Sequence, residues 1–469
     1  MPDITLKRIK DTTLREGEQT PTVYFNSEEK CVIAEMLYKI LGNKGYLEIG
    51  FTYNPFYKQT VKDVVKHFKD TGIVKARLLS HCRAVRYDID QSWSCGVWGI
   101  VIFMATSKNH LLHKFGGLSF KDAINKISEA IRYAKNKVGF EYVEYSLEDA
   151  TSLPLKDVIL ISKIAEESGA DAIKIADTKG QTSPEAFKTL IKQLKEKVSV
   201  DITVHCHNDR GLAVINTIEG LMGGATGIDV SVLGLGERCG IADLAITLEN
   251  LESLYGVNTG VDFKGIPELY EYVSAASGIQ IPPQHPVVGA FARIHKAGTH
   301  QKAVLKKHET YETINWSKYG LKSEYEFGGM QSDELLNRYN LAKELKSKTV
   351  QIIRKTSIEK RRPLTSYEVS KIIERITGFP LSPQPQSYDV IAFIKTKQAF
   401  DELEFLKKVR MKFTEHKIPI KIRKISGYCD FIVEANHVRN LQVFKDIIFD
   451  LAKKGNFEVN LSIVNDEYK

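Results

Sequence analysis

The sequence is poor in cysteine and lacks long apolar runs, and both deficits narrow the class of protein. Six cysteines are scattered along 469 residues without a C-x-x-C pair, so neither a disulfide framework nor a zinc finger is indicated. The longest apolar runs, such as "VWGIVIFMA", are too short to cross a bilayer. The start, "MPDITLKRIKDTTLREG", has no signal-peptide segment. We therefore expect a cytoplasmic protein with no membrane partner.

The sequence also lacks a basic stripe with interleaved aromatics, which argues against a nucleic-acid partner. The net charge of +8 is spread along a Lys-rich chain. It indicates a solvated surface or, alternatively, attraction of anionic substrates. The length exceeds that of a usual single core, so two or three domains are expected.

Residues 6 to about 262 alternate short apolar runs with longer amphipathic stretches. The stretches have apolar residues at helical spacing, with Asn26 or Ser27 and Ser183 as predicted helix starts. Repeated strand–helix units indicate a parallel sheet. An α/β fold with a closed (β/α)8 TIM barrel over residues 1–285 is predicted. A doubly wound open sheet is the alternative, although no G-x-G-x-x-G follows the first strand. The predicted strands are "LKRIKD", "GYLEIGF", "KARLLSH", "GIVIFMAT", "FEYVEYS", "AIKIAD", "DITVHCH" and "GIDVSVLG".

The rest of the chain divides at a proline-rich segment. Residues 286–380 predict a helical linker subdomain. "FPLSPQPQS", residues 379–387, is the boundary candidate. Residues 388–469 then alternate in the order βαββαβ, which predicts a C-terminal ferredoxin-like domain.

Polar residues fall where the predicted barrel strands end, and active sites of such barrels gather at that edge. One polar residue at a strand end usually caps a turn, but eight successive ends carry them here. They are Asp11, Arg15, Glu16, Gln19, Glu48, His81, Arg83, Thr106, Ser107, Ser146, Glu148, Asp149, Asp177, Thr178, His205, His207, Glu237 and Arg238.

The segment "VHCHNDRG" puts two histidines on one strand face, because side chains alternate along a strand. An H-x-H pair alone is often structural. With Glu16 converging from the first strand, His205 and His207 predict a divalent-metal site with positions left open for a substrate. The ion could be Mg²⁺, Mn²⁺ or Zn²⁺.

Three motifs carry a family resemblance over residues 6 to about 320. "DTTLREGEQ", "HCHNDRGLAVIN" and "VLGLGERCG" resemble signatures of the barrel acyltransferases that include homocitrate, isopropylmalate and citramalate synthases. The resemblance implies condensation of acetyl-CoA with a metal-bound 2-oxo acid. It implies a metal at Glu16, His205 and His207 and catalysis by His300, Tyr311 and Arg15. The implied substrate ligands are Arg15, Gln19, Glu48, His81, Arg83, Ser146 and Thr178.

Several details favour the homocitrate synthase branch, whose substrate is 2-oxoglutarate and which opens lysine biosynthesis. Glu16 stands where isopropylmalate synthases carry Asp, and Ile241 where they usually carry Asn. "SHCR" resembles a His-x-Arg pair that handles 2-oxoglutarate, and "TSKNHLLHKFGG" resembles a Thr-Ser-Lys segment of the branch.

The segment "HKAGTHQKAVLKKHETYE" resembles the family's catalytic segment, here with His300 and Tyr311. Removing a thioester methyl proton needs a base poised near neutral pH, and imidazole suits that task. Tyr311 could donate to the enolate oxygen. In this family the segment reaches a neighbouring subunit's barrel, so a homodimer or higher oligomer is expected.

Three departures leave the 2-oxo acid open. Fungal and bacterial homocitrate synthases carry Arg where this chain has Glu144, which is what isopropylmalate and citramalate synthases show. They also carry an Arg after the Glu148–Asp149 pair, and "EYEFGGMQSDELL" lacks their Arg-rich segment. A second substrate carboxylate would then need Arg83, or another cation such as Arg86 or Lys179.

The C-terminal domain resembles the ligand-binding domain of Lrp/AsnC regulators, including "SGYCDFIVEA". The resemblance implies amino-acid binding, with lysine as the effector and Asp430 as the first polar group to test. A plain oligomerisation module is the alternative.

Two other functions compete. A carbon–carbon lyase of the same barrel family would use a Cys-bearing loop near Cys239, but "GERCG" is the synthase motif. A weakened enzyme acting as an amino-acid sensor would not be expected to keep Arg15, Glu16, both strand-seven histidines and His300.

Overall fold

A computed structural model describes residues 4–379, 387–396, 408–409, 411–413, 420–424, 431–438, 441–455 and 457–467. The chain splits into two compact units, Met1–Ala292 and Arg293–Lys469. The finer division at residues 285 and 388 stays a prediction.

The first unit is a closed barrel of eight parallel strands, each paired with its neighbours in chain order, and the first pairs with the eighth. The predicted (β/α)8 barrel is confirmed, and the open sheet is wrong. The strands are β1 (Arg8–Asp11), β2 (Gly45–Phe51), β3 (Leu78–Arg83), β4 (Gly99–Ala105), β5 (Tyr142–Glu148), β6 (Ala172–Asp177), β7 (Asp201–Cys206) and β8 (Gly227–Val230).

Helices follow the strands, and local capping sets their starts. The side chain of Asn26 accepts from the backbone N–H of Glu29, whose own side chain accepts from Asn26 N–H, so α1 begins with a capping box. Ser183 caps α6 by accepting from Ala186 N–H. The helices are α1 (Ser27–Leu41), α2 (Pro55–Asp70), α3 (Arg86–Cys95), α4 (Phe120–Arg132), α5 (Leu155–Glu167), α6 (Pro184–Lys195), α7 (Ala213–Met222), α8 (Leu244–Ser253) and α9 (Ile266–Ser277).

Strand boundaries differ from the predicted ones where loops begin. β3 and β5 start and end later than their apolar runs indicate, and β8 stops four residues early. After β8 the chain turns through Leu233, whose φ of 60° is left-handed. That turn starts the loop "GLGERCG" at the barrel mouth.

The second unit begins with short elements and two long helices around a core of its own. The elements are β9 (Ile294–His295), α10 (Gly298–Val304), β10 (Glu324–Tyr325), α11 (Lys343–Lys360) and α12 (Ser366–Thr377). The buried core comprises Phe327, Leu335, Leu336, Val350, Ile353, Leu364, Val369 and Ile373. No helix among the described residues is long and apolar enough to cross a membrane.

The last part of this unit is a four-stranded antiparallel sheet. Its strands are β11 (Ser387–Thr396), β12 (Ile420–Lys424), β13 (Phe431–Val438) and β14 (Phe457–Glu467), with α13 (Leu441–Gly455) before β14. The order β12-β13-β11-β14 is that of the predicted ferredoxin-like fold. Helical residues 408–409 and 411–413 precede β12, and Val409, Phe413 and Phe444 are buried together. Asp430 lies outside the described residues.

Candidate metal centre and active site

A cavity of about 530 Å³ opens at the carboxyl ends of the barrel strands. Twelve residues predicted from strand ends line it, which confirms that these ends converge. The lining residues are Arg15, Glu16, Gln19, Phe51, Tyr53, His81, Arg83, Phe103, Lys114, Ser146, Glu148, Lys174, Ala176, Thr178, His205, His207, Glu237 and Arg238.

Glu16, His205 and His207 are buried together in this cavity. One ligand atom from each lies within 4.8 Å of the other two. The two Nε2 atoms are 3.3 Å apart, and His207 Nε2 is 3.9 Å from Glu16 Oε1. The expected same-face geometry of the two histidines is confirmed, although β7 itself ends between them at Cys206.

This donor set fits a divalent metal. His205 Nδ1 lies 3.0 Å from Asp229 Oδ2, so Nδ1–H donates to the carboxylate and leaves the Nε2 lone pair for the site. Metal–nitrogen bonds of about 2.1 Å put two ligands of one ion roughly 3.0–3.4 Å apart, which matches the observed Nε2 separation. Burial and the neighbouring His205 lower the pKa of His207 to about 4, so that ligand is neutral at pH 7.

Glu16 is held as a carboxylate by its surroundings. Burial alone would raise its pKa, but Arg15 and the two imidazoles outweigh that effect and lower the pKa to about 2. Arg15 donates to Glu16, and Glu237 N–H donates to Oε1 at 3.2 Å. In the amide orientation that its neighbours require, Gln19 donates to both Glu16 oxygens at 2.9 and 3.1 Å.

Arg15 and His81 meet at Glu48, which lies behind the cavity wall. Arg15 donates to Glu48 Oε2 at 3.0 Å, and His81 Nδ1 contacts Oε1 of the same carboxylate. His81 also stacks on Phe103 with 4.6 Å between ring centroids. Burial and Arg15 lower the pKa of His81 to about 3 despite Glu48, so the neutral ring donates through Nδ1. Glu48 hydrogen-bonds two cavity residues but does not line the cavity itself.

A buried ionic network crosses the barrel interior, and the sequence reasoning missed it. Lys10 and Lys174 are 2% and 1% exposed. Lys10 bonds Glu144 and lies 3.3 Å from Asp229, while Lys174 lies 2.7 Å from Asp229. Glu144 is therefore neutralised by Lys10 inside the barrel, and it does not line the cavity. A signal was present, because a charge in the middle of a parallel barrel strand cannot reach solvent and must find a partner.

The cations proposed for a second substrate carboxylate have other partners. Arg83 donates twice to the buried Asp88, at 2.7 and 2.8 Å. Arg86 lies over the ring of Tyr133 and does not line the cavity. Lys179 lies 3.3 Å from Asp149 and is also outside the lining.

Other predicted polar residues hold the loops. Asp177 accepts from the hydroxyls of Thr151 and Thr182 at 2.9 and 3.2 Å. Asp149 accepts from Ser107 at 2.7 Å, and its N–H donates to Thr178 Oγ1 at 2.8 Å. Asp11 accepts from the backbone N–H of Thr13 at 2.9 Å. These residues stabilise turns, whereas Ser146 and Thr178 face the cavity.

The loop after β8 needs glycine at position 240, because the backbone there passes very close to the backbone of Gly234. A Cβ on Gly240, at a φ of 81°, would lie 1.8 Å from the Gly234 carbonyl oxygen. This packing brings Glu237 and Arg238 to the cavity, and Arg238 pairs with Asp209 at 2.7 Å. Cys239 is exposed and is not a lining residue.

His300 and Tyr311 belong to the second unit, where their rings stack with 3.8 Å between centroids. His300 is exposed, and Tyr311 is 50% exposed. The expected pairing of the two side chains is therefore present on the surface of this unit.

Two family models match the chain. The HMGL-like model matches residues 7–273, which is the barrel. A model described as homocitrate synthase post-HMGL domain-like matches residues 287–338, the segment that carries His300 and Tyr311. The fold also resembles the HMG-CoA lyase of Bacillus subtilis, with a TM-score of 0.53 and 22% identity over 60% of this chain and 97% of that one. That likeness concerns the fold alone.

Curated relatives extend the match. "Homocitrate synthase AksA" of Methanocaldococcus jannaschii is 43% identical, covering 68% of this chain and 78% of the relative. Homocitrate synthase of Saccharolobus islandicus is 32% identical over 91% and 92%. "2-isopropylmalate synthase 2" of Caldanaerobacter subterraneus is 34% identical over 78% and 95%. These matches show that the chain is an enzyme of the HMGL-like family and belongs to the homocitrate synthase family within it.

Proposed function

We propose that this enzyme condenses acetyl-CoA with 2-oxoglutarate and water to give homocitrate and CoA. The convergence of Glu16, His205 and His207 beside Arg15 in one buried cavity carries the proposal. The homocitrate synthases among its relatives support the choice of substrate. The cytoplasm is its proposed location.

The chain's own residues prepare the 2-oxo acid for attack. When bound, a divalent metal would hold the acid's carboxylate and keto oxygens and polarise the keto group. Arg15 is fixed by Glu16 and Glu48, and its buried Nε–H has no partner among the described residues. That donor is left for an oxygen on which negative charge develops. Such fixed donors need no reorganisation during the reaction.

The proton chemistry falls to His300 and Tyr311. The His300 imidazole takes a proton from the acetyl-CoA methyl group, and Tyr311 donates to the enolate oxygen. The enolate carbon attacks the keto carbon, the C=O π bond opens, and the keto oxygen takes up a proton to become the hydroxyl of the product. Water then adds to the thioester carbonyl, and the C–S bond breaks to leave the new carboxylate and CoA as the thiol. Because the stacked pair is exposed in this chain, we propose that it acts in the barrel cavity of a second copy in a homodimer.

The dimer is tested by mixing two inactive variants, Glu16→Ala and His300→Ala. After joint refolding, each mixed dimer would hold one cavity with an intact metal site and an intact base, so activity should return. Each variant refolded alone is the control. Absence of recovery in verified mixed dimers would contradict catalysis across subunits.

The branch is tested by thiol release from acetyl-CoA with 2-oxoglutarate, pyruvate, 2-oxobutyrate and 2-oxoisovalerate, with products identified by mass spectrometry. The highest kcat/KM is expected with 2-oxoglutarate. Reactions without a 2-oxo acid, and with a chelator followed by added metal, are the controls. A preference for pyruvate or 2-oxoisovalerate would assign the enzyme to the citramalate or isopropylmalate branch instead. Glu144 no longer favours those branches, since Lys10 neutralises it away from the cavity.

We also propose that residues 388–469 bind lysine and thereby inhibit the barrel. The ferredoxin-like strand order supports this, and the required coupling is modest, at about 1–3 kcal/mol. Lysine inhibition should be lost in a chain ending at residue 380 and should be non-competitive with 2-oxoglutarate in the full chain. If the shortened enzyme is equally sensitive, the domain serves assembly only.

A further inference from the structure

One buried cation faces the cavity without a hydrogen bond to a protein acceptor in the described part of the chain. Lys174 lines the cavity and is 1% exposed, and its Nζ has no hydrogen-bond partner of acceptable geometry. Two carboxylate oxygens lie near it, Asp229 Oδ2 at 2.7 Å and Glu48 Oε2 at 3.7 Å. Since an ammonium carries three donors, Lys174 has donors left for a ligand.

The cations at the cavity rim are engaged differently. Their side chains are about half exposed, and each has hydrogen bonds to a carboxylate of its own. These pairs are Arg83 with Asp88, Lys114 with Glu148, and Arg238 with Asp209. Solvent weakens the attraction of a rim charge for a substrate anion. An exposed cation at the rim therefore distinguishes between substrates less well than a buried cation such as Lys174.

The position of Lys174 suits a group that extends from the metal centre. Asp229 Oδ2 lies within hydrogen-bonding distance of both Lys174 Nζ and His205 Nδ1, so one oxygen links the cation to a metal ligand. Ala176, the next residue on the same strand face, pairs with His205. Both Lys174 and Ala176 line the cavity, and the side chain of Ala176 is a single methyl group. Ser146, which also lines the cavity, pairs with Lys174 across the neighbouring strand.

Lys174 stays charged in this setting. Burial would lower its pKa, but Asp229, Glu48 and Glu144 outweigh that effect and raise it. Glu144, on the adjacent strand, bonds Lys10 and does not bond Lys174. A substrate carboxylate would therefore meet a permanent positive charge.

We infer that Lys174, with the Ser146 hydroxyl beside it, binds the second carboxylate of the 2-oxo acid and so selects a dicarboxylate. The inference rests on the proposed function. A 2-oxo acid without that carboxylate leaves a buried cation short of an acceptor, which is a strong basis for discrimination.

The test compares 2-oxoglutarate with 2-oxobutyrate, which has hydrogen in place of the second carboxylate, on the metal-loaded full chain. Lys174→Met should lower the ratio of kcat/KM for 2-oxoglutarate to kcat/KM for 2-oxobutyrate by about 100-fold or more, mainly through KM, because any loss that acts through Asp229 and His205 lowers both values together and cancels in the ratio. Lys188→Met is the matched control, because Lys188 is a partly exposed residue of α6 paired with Glu219 of α7, outside the cavity lining. Its kinetics should not change.

A parallel loss with both substrates would overturn the inference and leave Lys174 a purely structural partner of Asp229. So would a selective loss in Arg83→Gln that Lys174→Met does not show. Lys174→Arg keeps the charge and guards against a Met variant that fails to fold. Because Arg presents its charge differently, KM for 2-oxoglutarate should shift about tenfold while KM for acetyl-CoA stays constant. An unchanged KM for 2-oxoglutarate would overturn the inference.

The wild-type enzyme separates this inference from the proposed function. If wild type prefers 2-oxobutyrate, pyruvate or 2-oxoisovalerate, the proposed function itself has failed. If wild type prefers 2-oxoglutarate but the Lys174 variants keep that preference, only the inference has failed.

Discussion

The polar residues proposed to act at the barrel mouth are buried and hydrogen-bonded, whereas those proposed to act in the second unit are exposed. Glu16, His205 and His207 are at most 5% exposed and are fixed by partners such as Arg15 and Asp229. Tyr311 is 50% exposed, and the ring of His300 stacks against it. The residues proposed to bind metal and substrate are thus held in place before a ligand arrives, whereas the two residues proposed for proton transfer are exposed at the surface of the second unit.

This difference has energetic consequences. Removing one partner of a buried ion pair leaves an uncompensated charge, which is strongly destabilising. Substitutions in the barrel network should therefore change binding and folding together. Substitutions of His300 and Tyr311, which are exposed, should change the rate with little effect on binding or folding.

The largest effect is expected for His205→Ala, which removes one of the three proposed metal ligands. Bound metal should be lost, and turnover should fall by well over the roughly 100-fold typical for loss of an outer partner of a metal ligand. Metal analysis of the purified protein and thiol release measure the two effects. His67→Ala, at a half-buried histidine paired with Glu35 on the outer helices, is the control. Full metal content and activity in His205→Ala would remove the basis of the metal assignment.

Asp229→Asn tests whether Asp229 holds the His205 ring in the orientation that metal binding needs. Asn keeps the shape but loses the charge that orients His205, so metal affinity should fall roughly 10- to 100-fold. Isothermal titration calorimetry with Mn²⁺ measures this affinity. Asp201→Asn is the control, because Asp201 begins β7 at the opposite end and pairs with Lys7 and Arg8. Equal metal affinity in both variants would mean that Asp229 does not orient the ligand.

A smaller effect is expected from the pH dependence of His81. Its folded pKa of about 3 lies below the ordinary value of about 6.5, so the unfolded chain binds the proton more readily. The contribution of the neutral His81 ring to the free energy of unfolding is present above pH 6.5 and is lost as pH falls toward 3. Between pH 7 and 5 this amounts to about 2 kcal/mol.

Urea unfolding of wild type and of His81→Gln at pH 7 and pH 5 measures that difference. The fall in unfolding free energy should be smaller in the variant by about 2 kcal/mol. Identical falls in the two proteins would contradict a neutral buried His81.

The sequence predicted the barrel and the convergence of its strand ends, because both follow from local features: the spacing of apolar residues and short sequence motifs. His205 and His207 share a face by strand alternation, and Glu16 follows the first strand by chain order. The ends of β3, β5 and β8 were missed, since apolar runs do not show where a loop such as that at Leu233 turns away.

The buried network was missed for a different reason. Lys10 lies between Ile9 and Asp11 in "RIKD", and Lys174 lies between two isoleucines in "AIKIAD", and neither local pattern shows what the lysine pairs with. Their partners Glu144 and Asp229 come from other strands, so pairing is a property of the closed barrel and not of any one segment. The same limit applies to Glu144, whose meaning for the substrate changes once Lys10 is seen beside it.

We propose that the barrel binds the 2-oxo acid and that His300 of the second unit is the base. The most direct test is His300→Ala, with 2-oxoglutarate binding measured by calorimetry and turnover measured by thiol release. Loss of a positioned base typically costs roughly 10²- to 10⁴-fold in rate. We expect kcat to fall by that amount while the dissociation constant of 2-oxoglutarate in the metal-loaded protein stays within twofold of wild type. Turnover within twofold of wild type, or a loss of 2-oxoglutarate binding as large as the loss of rate, would contradict the account.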